Sequence, residues 1–422
     1  MIDRNLRQLT AIDLFSGCGG LSLGLELNGF KTLLFSEINK HASETYLANR
    51  QDKDIVSVSD IYTLTNSKLN DHLSNWESKG FKEIDLVAGG PPCQGYSKIG
   101  HRRTFKLEKE EIPSNQLFKE MIRIIKVVQP RMFLFENVSG LLTAKWNKTG
   151  KKGEIFVEVL NSFINLQNYE VRWELVHAKD YGTPQNRPRV LIIGVRKNLK
   201  LSIPRSIKNE TTIILPTAIK DGLLPEPNND YPTIVELLGD LVDPRFENGG
   251  KTAAYPHSAV NKFQKLLRKR LDGTIAKKGA ALTEHEYSFH KEKIVNKFSY
   301  MISHNGEIAE EMKTKKFAQR LLPKKWGHKG PNITATSMPD DFVHFSQPRI
   351  LSVREWARLQ MFPDWYHFKG PRTTGGRRRA GDPDAGLWDR DVPRYTQIGN
   401  AVPVSLSSSV GKHLSKLLRH LP

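Results

Sequence analysis

Six short apolar runs, separated by helix-like stretches, restrict the fold of this chain more than any other feature. The runs lie at residues 11–15, 32–35, 85–88, 132–135, 171–176 and 190–195. Helical patterns fall at 21–28, 40–49 and 116–128. Runs that are short and apolar throughout suit strands covered on both faces. Their alternation with helices predicts an α/β domain built on a mostly parallel sheet, extending to about residue 196. A chain of 422 residues has room for two or three domains.

The pattern loosens over residues 198–346, where Pro, Gly, Asn and Lys rise, and a second, loop-rich domain is expected there. A helix then announces itself at Ser352-Val353-Arg354-Glu355, which has the form of a capping box. Val353, Trp356, Ala357, Gln360 and Met361 would form one mostly apolar face, and Phe362-Pro363 would end it. Gly375, Gly376, Arg377, Arg378 and Arg379 open a Gly/Asp/Pro-rich stretch that reads as an exposed loop. Residues 398–404 look strand-like, with a helix expected from about Ser405. No internal repeat is visible.

Charge narrows the class of partner. Lys and Arg number 64 against 45 Asp and Glu, a net charge of +19. Residues 261–330 hold 17 Lys/Arg and 7 Asp/Glu, so this stretch carries about half the excess. Such a balance is the footprint of a polyanion binder, although a basic stretch can also be no more than a solvated face. No apolar run approaches membrane-spanning length, and the N-terminus lacks the apolar core of a signal peptide. A cytoplasmic protein is expected. The two cysteines, Cys18 and Cys93, cannot build a structural zinc site alone, and each is read as a single thiol.

Four stretches carry chemistry. The first run leads into Asp13-Leu14-Phe15-Ser16-Gly17-Cys18-Gly19-Gly20, a glycine-rich turn between strand and helix. Such a turn lets backbone approach a ligand, and the helix N-terminus favours anionic groups. The spacing departs from the dinucleotide pattern, since Ser22 stands at the third glycine position. Glu37 follows Gly17 by 20 positions, where a ribose-binding carboxylate is expected in nucleotide folds. Together they point to a ligand with a ribose; a plain tight turn is the alternative. The third run leads into Gly89-Gly90-Pro91-Pro92-Cys93-Gln94-Gly95-Tyr96-Ser97. Cys93 thus lies beyond a strand's C-terminal end, at the edge where open α/β sheets bind ligands, in a loop stiffened by prolines. Glu136-Asn137-Val138 follows the fourth run and brings a carboxylate to the same edge. A small buried cysteine and a helix-start carboxylate are the plainer readings of these two residues. Finally, Gln185, Arg187 and Arg189 alternate along an extended segment and share a face. They could hold an oxygen-rich ligand or pair with carboxylates.

In this order, the motifs resemble the DNA (cytosine-5)-methyltransferase family of the bacterial restriction–modification type. They are DLFSGCGG, Glu37, Asp60-Ile61, GGPPCQGYS, ENV, QNRPR, RILSVREWARLQMFPDW and IGNAVPV, spread from residue 13 to 404. The resemblance implies an α/β, Rossmann-like, AdoMet-dependent domain with a seven-stranded mixed sheet. That catalytic domain would span 1–196, and a smaller, loop-rich target-recognition domain 197–393, including the 349–365 segment. Residues 394–422 would return to the catalytic domain and complete its sheet. The implied cofactor is S-adenosyl-L-methionine, with S-adenosyl-L-homocysteine as product. Phe15, Gly17, Cys18, Gly19, Gly20 and Leu21 would line its methionine and ribose, Glu37 would bind the ribose, Ile38 the adenine ring and Asp60 its amino group. Asn400 and Val402 would close the pocket, and Asp13, Ile61 and Pro92 belong to the same set. Cys18 falls at a variable position and reads as structural.

For the reaction, the resemblance implies Cys93 as nucleophile at C6 of a flipped-out cytosine. Glu136 would act at N3 and the exocyclic amine, and Arg189, supported by Arg187, would orient the base through O2. Gly89, Gly90 and Gly95 are candidate loop hinges. The implied partners are duplex DNA with a short recognition sequence and a restriction endonuclease; a monomer associated with the nucleoid is expected. The Arg377, Arg378 and Arg379 loop is read as solvated rather than clamping. Two other readings stay open, a tRNA cytosine methyltransferase of the same fold and a non-catalytic nucleic-acid binder.

Overall fold

In a computed structural model the chain is described at residues 7–52, 54–92, 116–147, 149–199, 201, 215–313, 319–324, 332–333, 341–373 and 391–421. One seven-stranded sheet organises the first half. Its strands are β1 (Leu9–Leu14), β2 (Phe30–Ser36), β3 (Val56–Val58), β4 (Leu86–Gly89), β5 (Met132–Val138), β6 (Tyr169–His177) and β7 (Pro188–Arg196), in the order β3-β2-β1-β4-β5-β7-β6. β7 runs antiparallel to both β5 and β6, and every other pairing is parallel. The sheet is therefore mixed, as expected.

Strand alternation divides the core. Ile12, Leu14, Val87, Phe133 and Phe135 pack on one face. They meet α3 (Asn66–Ser78), α4 (Phe118–Val128) and α5 (Glu154–Ile164) there. Ala11, Leu86, Ala88, Leu134 and Ile193 turn the other way, toward α1 (Gly20–Glu26) and the C-terminal helix. α2 (Lys40–Ala48) follows β2, with Asn39 capping it through Ala42 N–H. The second half contributes α6 (Ile234–Leu238), α7 (Lys262–Leu267), α8 (Glu292–Ser303), the short strands β8 (Arg320–Leu321) and β9 (Phe342–Val343), and α9 (Val353–Arg358). α10 (Arg394–Asn400) and α11 (Val404–His420) close the chain.

One expectation needs correction. Residues 398–404 are not a strand, and the C-terminal segment does not complete the sheet. They span the end of α10, a three-residue link and the start of α11, and the seventh strand is β3. Tyr395, Ile398 and Ala401 are buried at a helical spacing of three, and Pro393 and Pro403 stand just before the two helices. α11 instead packs on α1, where a Cβ on Gly24 would lie 2.0 Å from Ser407 Oγ.

The helix expected from Ser352 is α9, and its apolar face is buried. Its capping box forms as expected, between Ser352 and Glu355. It has no solvent face, however: Arg354, Glu355 and Arg358 are as buried as Trp356. Each charge is paired in place, which offsets the desolvation that burial imposes. Arg349 bonds both Glu355 oxygens at 2.7 Å, Arg354 reaches Glu284 at 2.9 Å, and Arg358 meets Asp240 and Asp364 at 2.6 Å each. The apolar side of α9 joins a core cluster that runs from Cys18 and Leu23 through Ile234, Tyr255 and Trp356 to Ile398 and Val404. Among the described residues, no helix is long and apolar enough to cross a membrane.

Candidate active site

Gly89 is in register with Phe135, so the next residues, Gly90 and Glu136, meet at the C-terminal edge of β4 and β5. A Cβ on Gly90 would lie 2.8 Å from Glu136 Oε2, so glycine leaves that carboxyl face open. Asn137 Nδ2 donates to Pro91 O at 3.2 Å and hooks the loop base to β5. Pro91 and Pro92 are thus placed, the latter half-buried. Cys93 and Gly95 lie outside the described residues.

Arg189 reaches Glu136 from β7. It is in register with Val138, which puts it on the same sheet face as Glu136. Its Nε lies 2.5 Å from Glu136 Oε1, and both side chains are largely buried. Opposite charge holds the carboxyl toward β7, although Nε makes no hydrogen bond of ordinary geometry among the described residues.

Gln185 and Arg187 share that extended segment, but the oxygens they hold are the protein's own. Gln185 Nε2 donates to Leu359 O at 2.8 Å, and its Oε1 accepts Ile333 N–H at 3.0 Å. Arg187 donates to Ile333 O, to Gly399 O at 2.7 Å and to Ala401 O at 3.1 Å. They join the β7 edge to α9 and α10, whereas Arg189 reaches the Glu136 carboxylate.

One strand away, the glycine turn is laced to the end of β2. Ser16 N–H donates to Ser36 O at 2.9 Å, and Phe15 N–H to Ser36 Oγ at 3.1 Å. Phe15 is held at φ 59°, a left-handed conformation uncommon for an aromatic residue. Gly19 has φ 86°, and a Cβ there would come within 2.9 Å of both Tyr46 and Tyr366. A Cβ on Gly20 would lie 2.4 Å from Val402 O, which brings the half-buried Val402 against the turn. Leu21 is buried behind it.

Glu37 follows β2 directly. Its Oε2 accepts Gly17 N–H at 2.9 Å and its Oε1 accepts Asn39 N–H at 2.8 Å. Burial raises its pKa, and those two N–H groups oppose the rise. Beside it Ile38 is 76% exposed, an isolated apolar surface next to the turn. Asp60 caps a short 3-10 turn through Tyr62 N–H at 3.0 Å, with Ile61 buried below. Asn400 is exposed at the end of α10.

Asp13 and Cys18 lie inside rather than along this surface. Burial pushes Asp13 up to about 7, against the hydrogen bond donated by Ser22. Its Oδ1 has no partner among the described residues. The Cys18 thiol donates to Gln397 O at 3.4 Å, and burial pushes it up to about 12. It stays a neutral thiol, in keeping with a structural part.

Sequence reasoning passed over several supports of this site. Tyr366 O–H donates to Cys18 O at 2.5 Å, and Thr45 Oγ1 to Gln397 Oε1 at 2.6 Å. Asn137 has a visible signal, its place inside ENV; the others act across more than 300 residues and leave none. Not all of the 261–330 charge is surface either. Lys262, Lys265, Lys269, Arg270, Lys277 and Lys278 are exposed, whereas Arg268 is buried on Asp240 at 2.5 Å. The Arg377, Arg378 and Arg379 loop lies outside the described residues.

The chain resembles known proteins along most of its length. The profile described as C-5 cytosine-specific DNA methylase matches residues 9–416. The type II methyltransferase M.DdeI of Desulfomicrobium norvegicum is 30% identical over 420 residues, which is 96% of this chain and 88% of that one. M1.HphI of Haemophilus parahaemolyticus, also a type II methyltransferase, is 29% identical over 97% of this chain and 87% of its own. Among solved structures, a prophage-encoded Escherichia coli protein described as a DNA modification methyltransferase superposes with a TM-score of 0.62 at 24% identity, covering 97% of this chain and 99% of that one. DNMT2 of Spodoptera frugiperda gives 0.50 at 17% identity, covering 96% and 99%. These two likenesses speak for the fold.

Proposed function

The chain belongs to the C-5 cytosine-specific DNA methylase family and is a DNA (cytosine-5)-methyltransferase, and from that premise we propose that it methylates a flipped-out cytosine through a covalent adduct of Cys93. The observation that carries this reading is Glu136, buried at the edge of β5 with Arg189 on one carboxyl oxygen and the open side of Gly90 at the other.

The residues of the glycine turn fit AdoMet, the cofactor implied by the family. A Cβ on Gly17 would have nothing within 4 Å, which leaves space over the turn. Glu37 is preset by two N–H bonds with lone pairs to spare, Ile38 offers apolar surface, and Asn400 is exposed. Phe15, Gly17, Gly19, Gly20 and Leu21 would hold the methionine and ribose, Glu37 the ribose hydroxyls, and Ile38, Asp60 and Ile61 the adenine. Asp13 and Cys18 would shape the turn from below, and Pro92, Asn400 and Val402 would close the pocket. AdoMet supplies the electrophilic methyl group when bound.

C5 of cytosine is a poor nucleophile. A Cys93 thiolate adding at C6 forms a C–S bond and moves an electron pair toward N3, where Glu136 stabilises the gained proton; C5 becomes enamine-like. Arg189 keeps Glu136 oriented and lies within the same cleft to contact the base at O2, while Arg187 fixes the segment that carries it. With the methyl group on C5, solvent water takes the C5 proton, the freed pair re-forms the C5–C6 double bond as the C6–S bond breaks and the Cys93 thiolate leaves, and N3 gives up the proton it gained. A base inside a duplex cannot reach this edge, so it has to be flipped out. Gly89, Gly90 and Gly95 would let the loop close over it.

The substrate is duplex DNA with a short recognition sequence read from residues 197–393. Both type II relatives favour a role beside a restriction endonuclease; a cytoplasmic monomer is part of the same proposal. Labelled AdoMet offered with duplex DNA and with tRNA tests the substrate: label should enter DNA. Label entering tRNA alone would overturn the reading. Bisulfite sequencing of plasmid from expressing cells would show the recognition site as fully converted except at one cytosine context.

A further inference from the structure

The connection from β5 to α5 turns at the edge where Glu136 and Arg189 meet. β7 is antiparallel to β5 and to β6, so β5 and β6 run the same way with α5 between them. The loop before α5 therefore lies at the C-terminal end of β5, on the active-site side of the sheet. This loop is built rather than loose. Trp146 is buried, its backbone N–H donates to Glu154 Oε1 at 2.7 Å, and its indole N–H donates to Glu158 Oε2 at 2.8 Å. Lys151 N–H donates to Glu154 Oε2 at 2.9 Å, and Gly153 N–H to Ala144 O at 3.2 Å.

Three of the loop's four lysines lie among the described residues: Lys145 half-buried, Lys151 and Lys152 exposed. The nearby carboxylates, which could have neutralised them, are engaged by N–H groups instead. None of the three ammonium groups forms an ion pair with a carboxylate among the described residues. A fixed loop with three uncompensated cations at the mouth of a site that acts on DNA complements a phosphodiester backbone.

We infer that the 144–153 loop is a phosphate clamp, in which Lys145, Lys151 and Lys152 grip the duplex backbone flanking the target cytosine from the catalytic side. The basic stretch at 261–330 then holds DNA from a separate part of the chain. This inference rests on the DNA methyltransferase reading. Phosphate contacts are independent of sequence, so the clamp can be tested before the recognition site is known.

The test uses the full chain and labelled plasmid restriction fragments, with the dissociation constant measured across a salt series. The triple variant Lys145→Ala/Lys151→Ala/Lys152→Ala should bind at least about tenfold more weakly at 0.15 M salt. Its slope of log affinity against log salt should fall by about 2–3, near 0.9 per lost phosphate contact. The control triple Lys79→Ala/Lys82→Ala/Lys126→Ala removes the same charge from exposed positions at the opposite sheet edge. It should keep most of the slope. AdoMet binding by both triples confirms that they fold. Equal losses in the two triples would reduce the effect to net charge and overturn the clamp, as would an unchanged slope in the first. Failure of the parent chain to bind duplex at all would sink the DNA reading itself, a separate result.

Discussion

Glu136 is 8% exposed, and its two carboxyl oxygens face different things, Arg189 and the bare side of Gly90. Gln in its place keeps the shape but can neither hold nor release a proton. Glu136→Gln should lower the single-turnover methylation rate by about 10²–10⁴-fold, with AdoMet affinity by calorimetry nearly unchanged, because the glycine turn and Glu37 follow β1 and β2, with β4 between those strands and β5. A normal rate would place the proton work elsewhere. His285 offers a second residue-scale test. Its Nε2 lies 3.0 Å from Leu241 O, an acceptor only, so Nε2 carries the proton. Nδ1 then accepts from Ser352 Oγ at 2.7 Å, and the ring is neutral. Burial lowers its pKa to about 4, opposed by Glu355 and reinforced by Arg349 and His344. Unfolded, it titrates near about 6.5. Between those values the unfolded chain binds more protons, so the stability this neutral ring contributes is whole above about pH 6.5 and declines toward pH 4. The advantage of the parent over His285→Gln in unfolding free energy, read from urea titrations, should therefore shrink by about 2 kcal/mol between pH 7 and pH 5. A constant difference would contradict the buried neutral ring.

Between elements, the closest fit joins α1 and α11. Gly24 faces Ser407 and Ser408 so closely that a methyl group would overlap backbone: Ser408 N would be 2.4 Å away. Ser407 Oγ also donates to Gly20 O at 2.8 Å, and Asn28 Nδ2 to Ser408 O at 3.0 Å. Gly24→Ala therefore wedges two helices apart beneath the cofactor turn. It should cost about 1–3 kcal/mol in chemical denaturation and weaken AdoMet binding as well. Lost stability with intact AdoMet binding would show that the turn does not depend on α11. α9 makes a similar point with charge. Burial alone would raise Glu355, but Arg349 and His344 outweigh it and hold its pKa well below the usual range. The capping box at Ser352 was readable in sequence because it is local. The inward arginines were not, because their partners Asp240 and Glu284 lie 118 and 70 residues away.

Across the whole molecule, the chain closes on itself. Arg131, at the start of β5, donates to Leu418 O at 3.0 Å and Leu421 O at 3.1 Å. Ending the chain before Val404 would strip Leu406, Val410 and Leu414 from one face of the sheet. Such a truncation should lose soluble expression or AdoMet binding; normal affinity would contradict the packing described. Six strands and the edge they point to were legible because buried strands write apolar runs and catalytic loops follow them directly. β3, three residues long, is too short to write a period. Residues 398–404 misled because Ile398, Ala401, Val402 and Val404 look alike in a strand and in two abutting helices. In the site, Glu37, Glu136 and Arg189 stood out through motif order and strand ends. Tyr366 and Gln397 did not, since their bonds are made only after the fold forms.

Covalent attack by Cys93 is the claim on which the proposed chemistry turns, and fluorine at C5 tests it. Without a C5 proton to lose, the ring cannot expel the thiolate, so the adduct persists. Plasmid DNA amplified with 5-fluoro-deoxycytidine triphosphate in place of deoxycytidine triphosphate presents every recognition site in trapped form. With AdoMet present, the parent chain should form a denaturation-resistant complex whose cross-linked peptide contains Cys93, and Cys93→Ser should form none while still binding AdoMet. An enzyme that methylates ordinary DNA yet leaves no adduct on the fluorinated substrate, or one that is trapped at another residue, would contradict the account.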